Sequence, residues 1–258
     1  MTSRVARAGL TVLALALAAC GRGDREAAPI RVAAAADLTD AFEELGRIFE
    51  DETGDSVSFS FGSTGLLAQQ LRRGAPFDVF AAANVSFVDD VVAAGVCDAS
   101  TVAPYARGRI AVWTRRGAVT PPAALSDLRD ARFTRVAIAS PEHAPYGQAA
   151  EQALRAAGLW DALEPRLVVG ENVRQAFQFA ETGNVEAAIV ALALVIQDRD
   201  NPWLLVKERL HAPIRQSLVV CAGGARREGG EAFALFVGSE SGRAVMRRYG
   251  FLLPDEEL

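Results

Sequence analysis

The chain has 258 residues, of which half are hydrophobic and 23% charged, with a formal net charge of −5. That apolar share supports a packed core and excludes a disordered chain. The negative balance argues against a nucleic-acid partner, and it requires any anion site to act locally against the overall field.

Residues 1–19 read as an export signal. Arg4 and Arg7 precede an apolar run from Ala8 to Ala19. The run is too short for a mature membrane span, which needs roughly 20 apolar residues, and has the proportions of a signal-peptide core. It ends in Leu17-Ala18-Ala19-Cys20, which resembles the lipobox of bacterial lipoproteins. That resemblance implies acylation of Cys20 and a lipid anchor; the alternative is ordinary secretion with a coincidental cysteine. Residues 20–29 form a polar tether. Roughly 240 residues remain after cleavage, enough for two compact lobes.

From Ile30 onward strands and helices alternate. Ile30–Ala36 is a short apolar run, and Leu38–Thr53 carries Leu38, Phe42, Leu45 and Phe49 on one helical stripe closed by Gly54. Strands follow at Ser56–Phe61 and Phe77–Ala82, with helices at Leu66–Arg73 and Ser86–Ala94. Ala106–Thr114 reads as one strand leaving a first lobe. Further strands lie at Arg135–Ala139, Leu167–Val169, Ala187–Ala191 and Leu204–Val206, with helices at Gln148–Ala157 and Val173–Glu181. Ser217–Val220 returns, and helices at Glu231–Val237 and Gly242–Tyr249 finish the chain. The expected fold class is α/β with two lobes and a ligand cleft between them. Lobe I comprises residues 30–107 and 220–258, and lobe II residues 108–219.

Four strand-to-helix junctions carry unusual residues: Ala35–Thr39, Gly62–Gly65, Pro141–Gly147 and Gly170–Val173. Each offers free backbone N–H groups at a helix start, where the helix dipole also favours an anion. Strand carboxyl ends form the usual crevice of open α/β sheets. Ordinary helix capping explains the same residues, so this chemistry alone leaves both readings standing. Cys97 and Cys221 are either a disulfide or simply buried thiols. His143 and His211 lie far apart, so there is no metal-ligand spacing. With no nucleophile near His143, it reads as a loop histidine and the chain as a non-enzyme.

Several segments resemble the periplasmic molybdate-binding proteins of ABC importers: Val32–Leu38 (VAAAADL), Phe61–Leu66 (FGSTGL), Gly74–Phe80 (GAPFDVF), Pro141–Gly147 (PEHAPYG), Glu171–Arg174 (ENVR) and Arg248–Phe251 (RYGF). The resemblance implies a type II periplasmic-binding fold that closes over molybdate or tungstate and delivers it to a membrane permease. It implies a monomer without a cofactor, with molybdenum held only as its oxyanion. Ligand contacts carried over fall on Asp37, Thr64, Tyr146, Val173 and Ala191, with Ser63 as the neighbouring hydroxyl. Sulfate or phosphate binding, or a sensor role on the same fold, is the alternative.

Asp37 and Ala191 depart from the family pattern, which often has a hydroxyl residue at the first position and in some members a tyrosine at the second. An ionised carboxylate about 5 Å from a dianion would cost roughly 7 kcal/mol at an effective dielectric near 20. Asp37 is therefore expected to offer its N–H and turn its side chain away, as a cap for the Leu38 helix. Tyr146 is expected at the ligand, with packing over the hinge as its alternative role. Arg174 is expected in an ion pair with a neighbouring carboxylate.

Overall fold

The computed structural model describes residues 27–256, so the export signal and Cys20 lie outside the described residues. Two five-stranded sheets organise the chain. The first contains β1 (Ile30–Ala35), β2 (Val57–Gly62), β3 (Val79–Ala82), β4 (Ala103–Gly108) and β10 (Ile214–Val220), in the order β2-β1-β3-β10-β4. The second contains β5 (Ile110–Trp113), β6 (Val136–Ala139), β7 (Leu167–Gly170), β8 (Ala187–Ala191) and β9 (Trp203–Leu205), in the order β7-β6-β8-β5-β9. Both sheets repeat one plan. Three parallel strands sit at one side, and a strand arriving from the other lobe pairs antiparallel beside them.

In the first lobe, α1 (Thr39–Thr53) and α7 (Arg227–Val237) cover one sheet face, and α2 (Thr64–Arg72) and α3 (Val85–Ala93) cover the other. Because both faces of β1 are covered, its residues beyond Arg31 are apolar throughout rather than alternating. Edge strand β2 alternates instead, and presents Phe59 to Phe42 and Phe233. Phe42, Phe49 and Phe233 are essentially inaccessible, and edge-to-face geometry joins Phe233 to both of the others. Each such burial contributes about 1.5–3 kcal/mol. Gly54 ends α1 in the left-handed conformation (φ 79°), and its N–H satisfies the Glu50 carbonyl.

The second lobe carries α4 (Pro145–Ala156), the single turn α5 (Trp160–Leu163) and α6 (Val173–Glu181). Trp113 is buried edge-on against Phe177 and donates its indole N–H to Asp198. The last helix, α8 (Glu240–Arg248), returns to α1 of the first lobe.

The segment read as one strand, Ala106–Thr114, is two. β4 pairs with β10 in the first sheet, β5 with β8 and β9 in the second, and Arg109 stands between them. Arg107-Gly108-Arg109 interrupts the apolar pattern where the chain changes sheets, but the pattern does not show which strands pair on either side. The return crossing also comes earlier than residue 220, because β10 belongs to the first sheet from Ile214. Arg109 donates to the Gly250 carbonyl at 3.0 and 2.7 Å, and Arg107 pairs with Leu252, so the C-terminal segment is fastened to the crossing. Cys97 and Cys221 form a disulfide between the loop after α3 and the end of β10. Burial and bonding are therefore combined in these two residues.

Candidate functional site

Three helix starts meet where the lobes face each other. α2 begins at Thr64, two residues before the sequence pattern suggests, with Ser63 as its N-cap. α4 begins at Pro145, three residues early, because proline's fixed φ suits the first helical position and its missing N–H costs nothing there. α6 begins at Val173 after Asn172, whose side chain accepts the Gln175 N–H. The N–H groups of Thr64, Tyr146 and Val173 therefore fall in first turns, where no intrahelical acceptor exists.

These residues line one cavity together with Asp37, Ser63 and Asn172. Pro145 and small residues (Ala35, Ala36, Gly62, Ala83 and Ala144) complete the wall, and the small residues bring the backbone close. The lining contains no lysine or arginine. Its attraction for an anion comes from oriented N–H groups and helix dipoles, and Asp37 is the one ionisable carboxylate.

Contacts across the cleft are direct. The His143 carbonyl in lobe II accepts from the Gly65 N–H (2.9 Å) and the Ser63 hydroxyl (2.6 Å) in lobe I. The Ser63 hydrogen is thereby committed to holding the lobes together and not to a bound anion. Thr64 differs, because its hydroxyl accepts from the Ala83 N–H at 3.3 Å and keeps its own hydrogen free to donate.

Asp37 does not turn away to cap the following helix. It is buried (1% exposed), and one carboxylate oxygen accepts from the Tyr146 hydroxyl (2.8 Å) and the Gln216 side-chain amide (2.6 Å). The helix start there has no side-chain cap. Burial in the cleft, which the distance-based expectation left out, raises the Asp37 pKa to about 6 against the two donors that lower it. A raised folded-state pKa means the native protein binds this proton more tightly than the unfolded chain. Stability from Asp37 is thus fully present below about pH 4 and is lost as pH rises through about 6. Burial and the neighbouring Asp37 push the Tyr146 phenol far above its usual range, so it remains a neutral donor.

The family model for bacterial extracellular solute-binding proteins matches residues 30–252. The chain belongs to this family. Over 254 residues it is 33% identical to the molybdate-binding protein ModA of Rhodobacter capsulatus, covering 95% of this chain and 96% of the relative. It is 34% identical to the molybdate-binding protein ModA of Azotobacter vinelandii, covering 94% and 96%. The solved Azotobacter vinelandii periplasmic molybdate-binding protein superposes with a TM-score of 0.82 at 28% identity, covering 88% of this chain and all of that one. A putative ABC transporter substrate-binding lipoprotein of Bacillus subtilis is 26% identical over 86% of this chain and 85% of its own length. The two-lobed fold of this solute-binding protein is shared with that solved structure.

The structure brings Asp37, Ser63, Thr64, Tyr146 and Val173 to one cavity, whereas Ala191 lies outside its lining. Ala191 ends β8 paired with Ile110, fully buried, and is not among the lining residues. The Tyr146 hydroxyl serves Asp37 rather than facing the ligand space alone, so the backbone N–H is its free donor. Arg174 makes no ion pair among the described residues, and its guanidinium lies over the Phe177 ring at 5.3 Å. One turn of helix separates these two residues. His143 acts through its backbone carbonyl, and its ring nitrogen meets the Ser140 hydroxyl at 3.3 Å. Gln216 was missed. Its one signal is a polar residue inside the apolar run Ile214–Val220, and a fully buried glutamine needs partners.

Proposed function

We infer that this solute-binding protein captures molybdate outside the cytoplasm and hands it to an ABC-type importer. The observation that carries the reading is the convergence of three helix N-termini, one from lobe I and two from lobe II, on a cavity without fixed positive charge. Such a cage suits a compact anion with oxygens on every side, since each helix start addresses a different oxygen. The choice of molybdate is supported by the names of the relatives at 33–34% identity. Tungstate, the same shape and charge, is proposed as a second ligand. The bound anion is held by the N–H groups of Thr64, Tyr146 and Val173 and by the Thr64 hydroxyl, with Asp37 beside it. The binding unit is a monomer that needs no cofactor. A lipid anchor at Cys20 is proposed from the lipobox pattern, and the Bacillus subtilis relative is named as a lipoprotein.

Calorimetric titration with molybdate, tungstate, sulfate and phosphate tests the ligand. Micromolar or tighter binding of the first two is expected. Tight sulfate or phosphate binding with none of molybdate would replace the assignment. Thr64→Val is expected to weaken molybdate binding by about 1–3 kcal/mol, because a donor to the anion is lost in a desolvated site. Unchanged affinity would remove the hydroxyl from the site. Cys20→Ala is expected to move the protein from the membrane fraction to the soluble exported fraction, and persistence on the membrane would refute the anchor.

A further inference from the structure

The Asp37 carboxylate lines the anion cavity with one oxygen held by Tyr146 and Gln216 and the other, Oδ1, buried without a hydrogen-bond partner among the described residues. A buried acceptor left unpaired is costly, and in a native fold it calls for a partner that the protein itself does not supply. Asp37 lines the cavity, which is where such a partner can enter. A dianion in the cage presents only acceptor oxygens, so two acceptors face each other unless a proton lies between them. Building on the oxyanion reading above, we propose that Asp37 binds one proton from solvent when the dianion enters, and that the protonated Oδ1 then donates a hydrogen bond to the ligand. Asp37 is in this sense a specificity-determining residue. It turns a position that would repel a dianion into a donor, and couples anion capture to uptake of one proton.

The magnitudes favour this state over the alternatives. With the carboxyl pushed up to about 6 by burial, about one molecule in ten is already protonated at pH 7. Selecting that form costs about tenfold in affinity. Leaving the carboxylate ionised beside a dianion costs several orders of magnitude more on the Coulomb estimate already given. Turning the side chain out would break its bonds to Tyr146 and Gln216, which tie β10 and α4 to the segment after β1. Other groups around Asp37 do not offer the same proton. Tyr105 on β4 and Tyr146 on α4 are both pushed well above the usual phenol range. Asp40 on α1, Arg107 on β4, Arg174 on α6 and Arg215 on β10 carry the fixed charges of the packed elements. His143, before α4, is the histidine at the cleft.

Calorimetric titration of the mature protein with molybdate, in buffers of different ionisation enthalpy, reads the protons taken up directly. The proposal expects nearly one proton per anion at about pH 7.5, and affinity that falls about tenfold per unit of pH from about 7 to 8. Asp37→Asn keeps the size and a donor but cannot titrate. It is expected to bind molybdate with no proton uptake and no such slope, while His143→Gln retains both. Molybdate binding by the unmodified protein without proton uptake, or uptake that persists in Asp37→Asn, would overturn the role of Asp37 and leave the oxyanion reading standing. Absence of molybdate binding in the unmodified protein and in Asp37→Asn alike, at every pH, would overturn the reading of the site and the proposal with it.

Discussion

Gly65→Ala is expected to weaken molybdate binding by about ten- to a hundredfold while leaving the ligand-free melting temperature unchanged or slightly raised. Gly65 is the second residue of α2, and its φ is not in the left-handed region, so alanine is acceptable to the helix and improves its propensity by up to about 1 kcal/mol. The obstacle lies in the other lobe. A Cβ at this position would meet the His143 carbonyl oxygen at 2.8 Å and the His143 Cβ at 2.9 Å. The same approach carries the Gly65 N–H to His143 hydrogen bond. The clash exists only when the lobes are together, and overpacking of this kind costs about 1–3 kcal/mol. Calorimetry with molybdate and thermal unfolding of the ligand-free protein separate the two effects. Normal affinity would show that closure does not need this contact, and a large fall in ligand-free stability would make Gly65 a structural residue of lobe I.

Asp78→Ala is expected to lower the melting temperature by roughly 6–12 °C, corresponding to about 3 kcal/mol in a protein of this size. Asp78 is 1% exposed at the start of β3. Its two carboxylate oxygens accept the Arg31 N–H at 2.8 Å and the Arg226 N–H at 2.7 Å, joining β1 to the entry of α7. Bonds to a charged acceptor are worth about 1.5–3 kcal/mol each, and truncation leaves both donors without one. Partial access of water to these N–H groups keeps the total below the sum. Asp78→Asn retains one carbonyl acceptor and is expected to recover part of the loss. A shift under about 2 °C for Asp78→Ala would show that solvent replaces the carboxylate fully. Asp78 is not among the residues that line the anion cavity, so molybdate affinity should change little.

The parts of this protein that were legible in its sequence are those set by local periodicity. The stripe of Phe42, Leu45 and Phe49, the glycine after Thr53 and the apolar run of β1 report their environments within a few residues. Thr64, Tyr146 and Val173 were legible as helix-start residues for the same reason, although α2 and α4 begin earlier than the hydrophobic pattern does. Proline geometry, which carries no apolar periodicity, sets the start of α4, and Ser63 precedes α2 without a side-chain capping bond. The remainder depends on partners distant in sequence. Arg109 divides Ala106–Thr114 into strands of two sheets, and the break at Arg107-Gly108-Arg109 does not name the partner on either side. In the sequence Asp37 reads as a lone charge near a dianion. Its true setting is made by Tyr146, 109 residues away, and Gln216, 179 residues away. Burial raises its pKa to about 6, against those two donors, which lower it. Ser63 likewise looked like a ligand hydroxyl until the His143 carbonyl claimed its hydrogen.

The central claim is that three helix N-termini from two lobes hold one tetrahedral anion without a fixed positive charge. Its most direct test is a crystal structure of the protein with molybdate, with the metal located by its anomalous scattering. Molybdenum is expected between the starts of α2, α4 and α6, with its oxygens about 3 Å from the N–H groups of Thr64, Tyr146 and Val173. Molybdenum bound elsewhere, or held in the cleft by lysine or arginine side chains in place of those N–H groups, would contradict it.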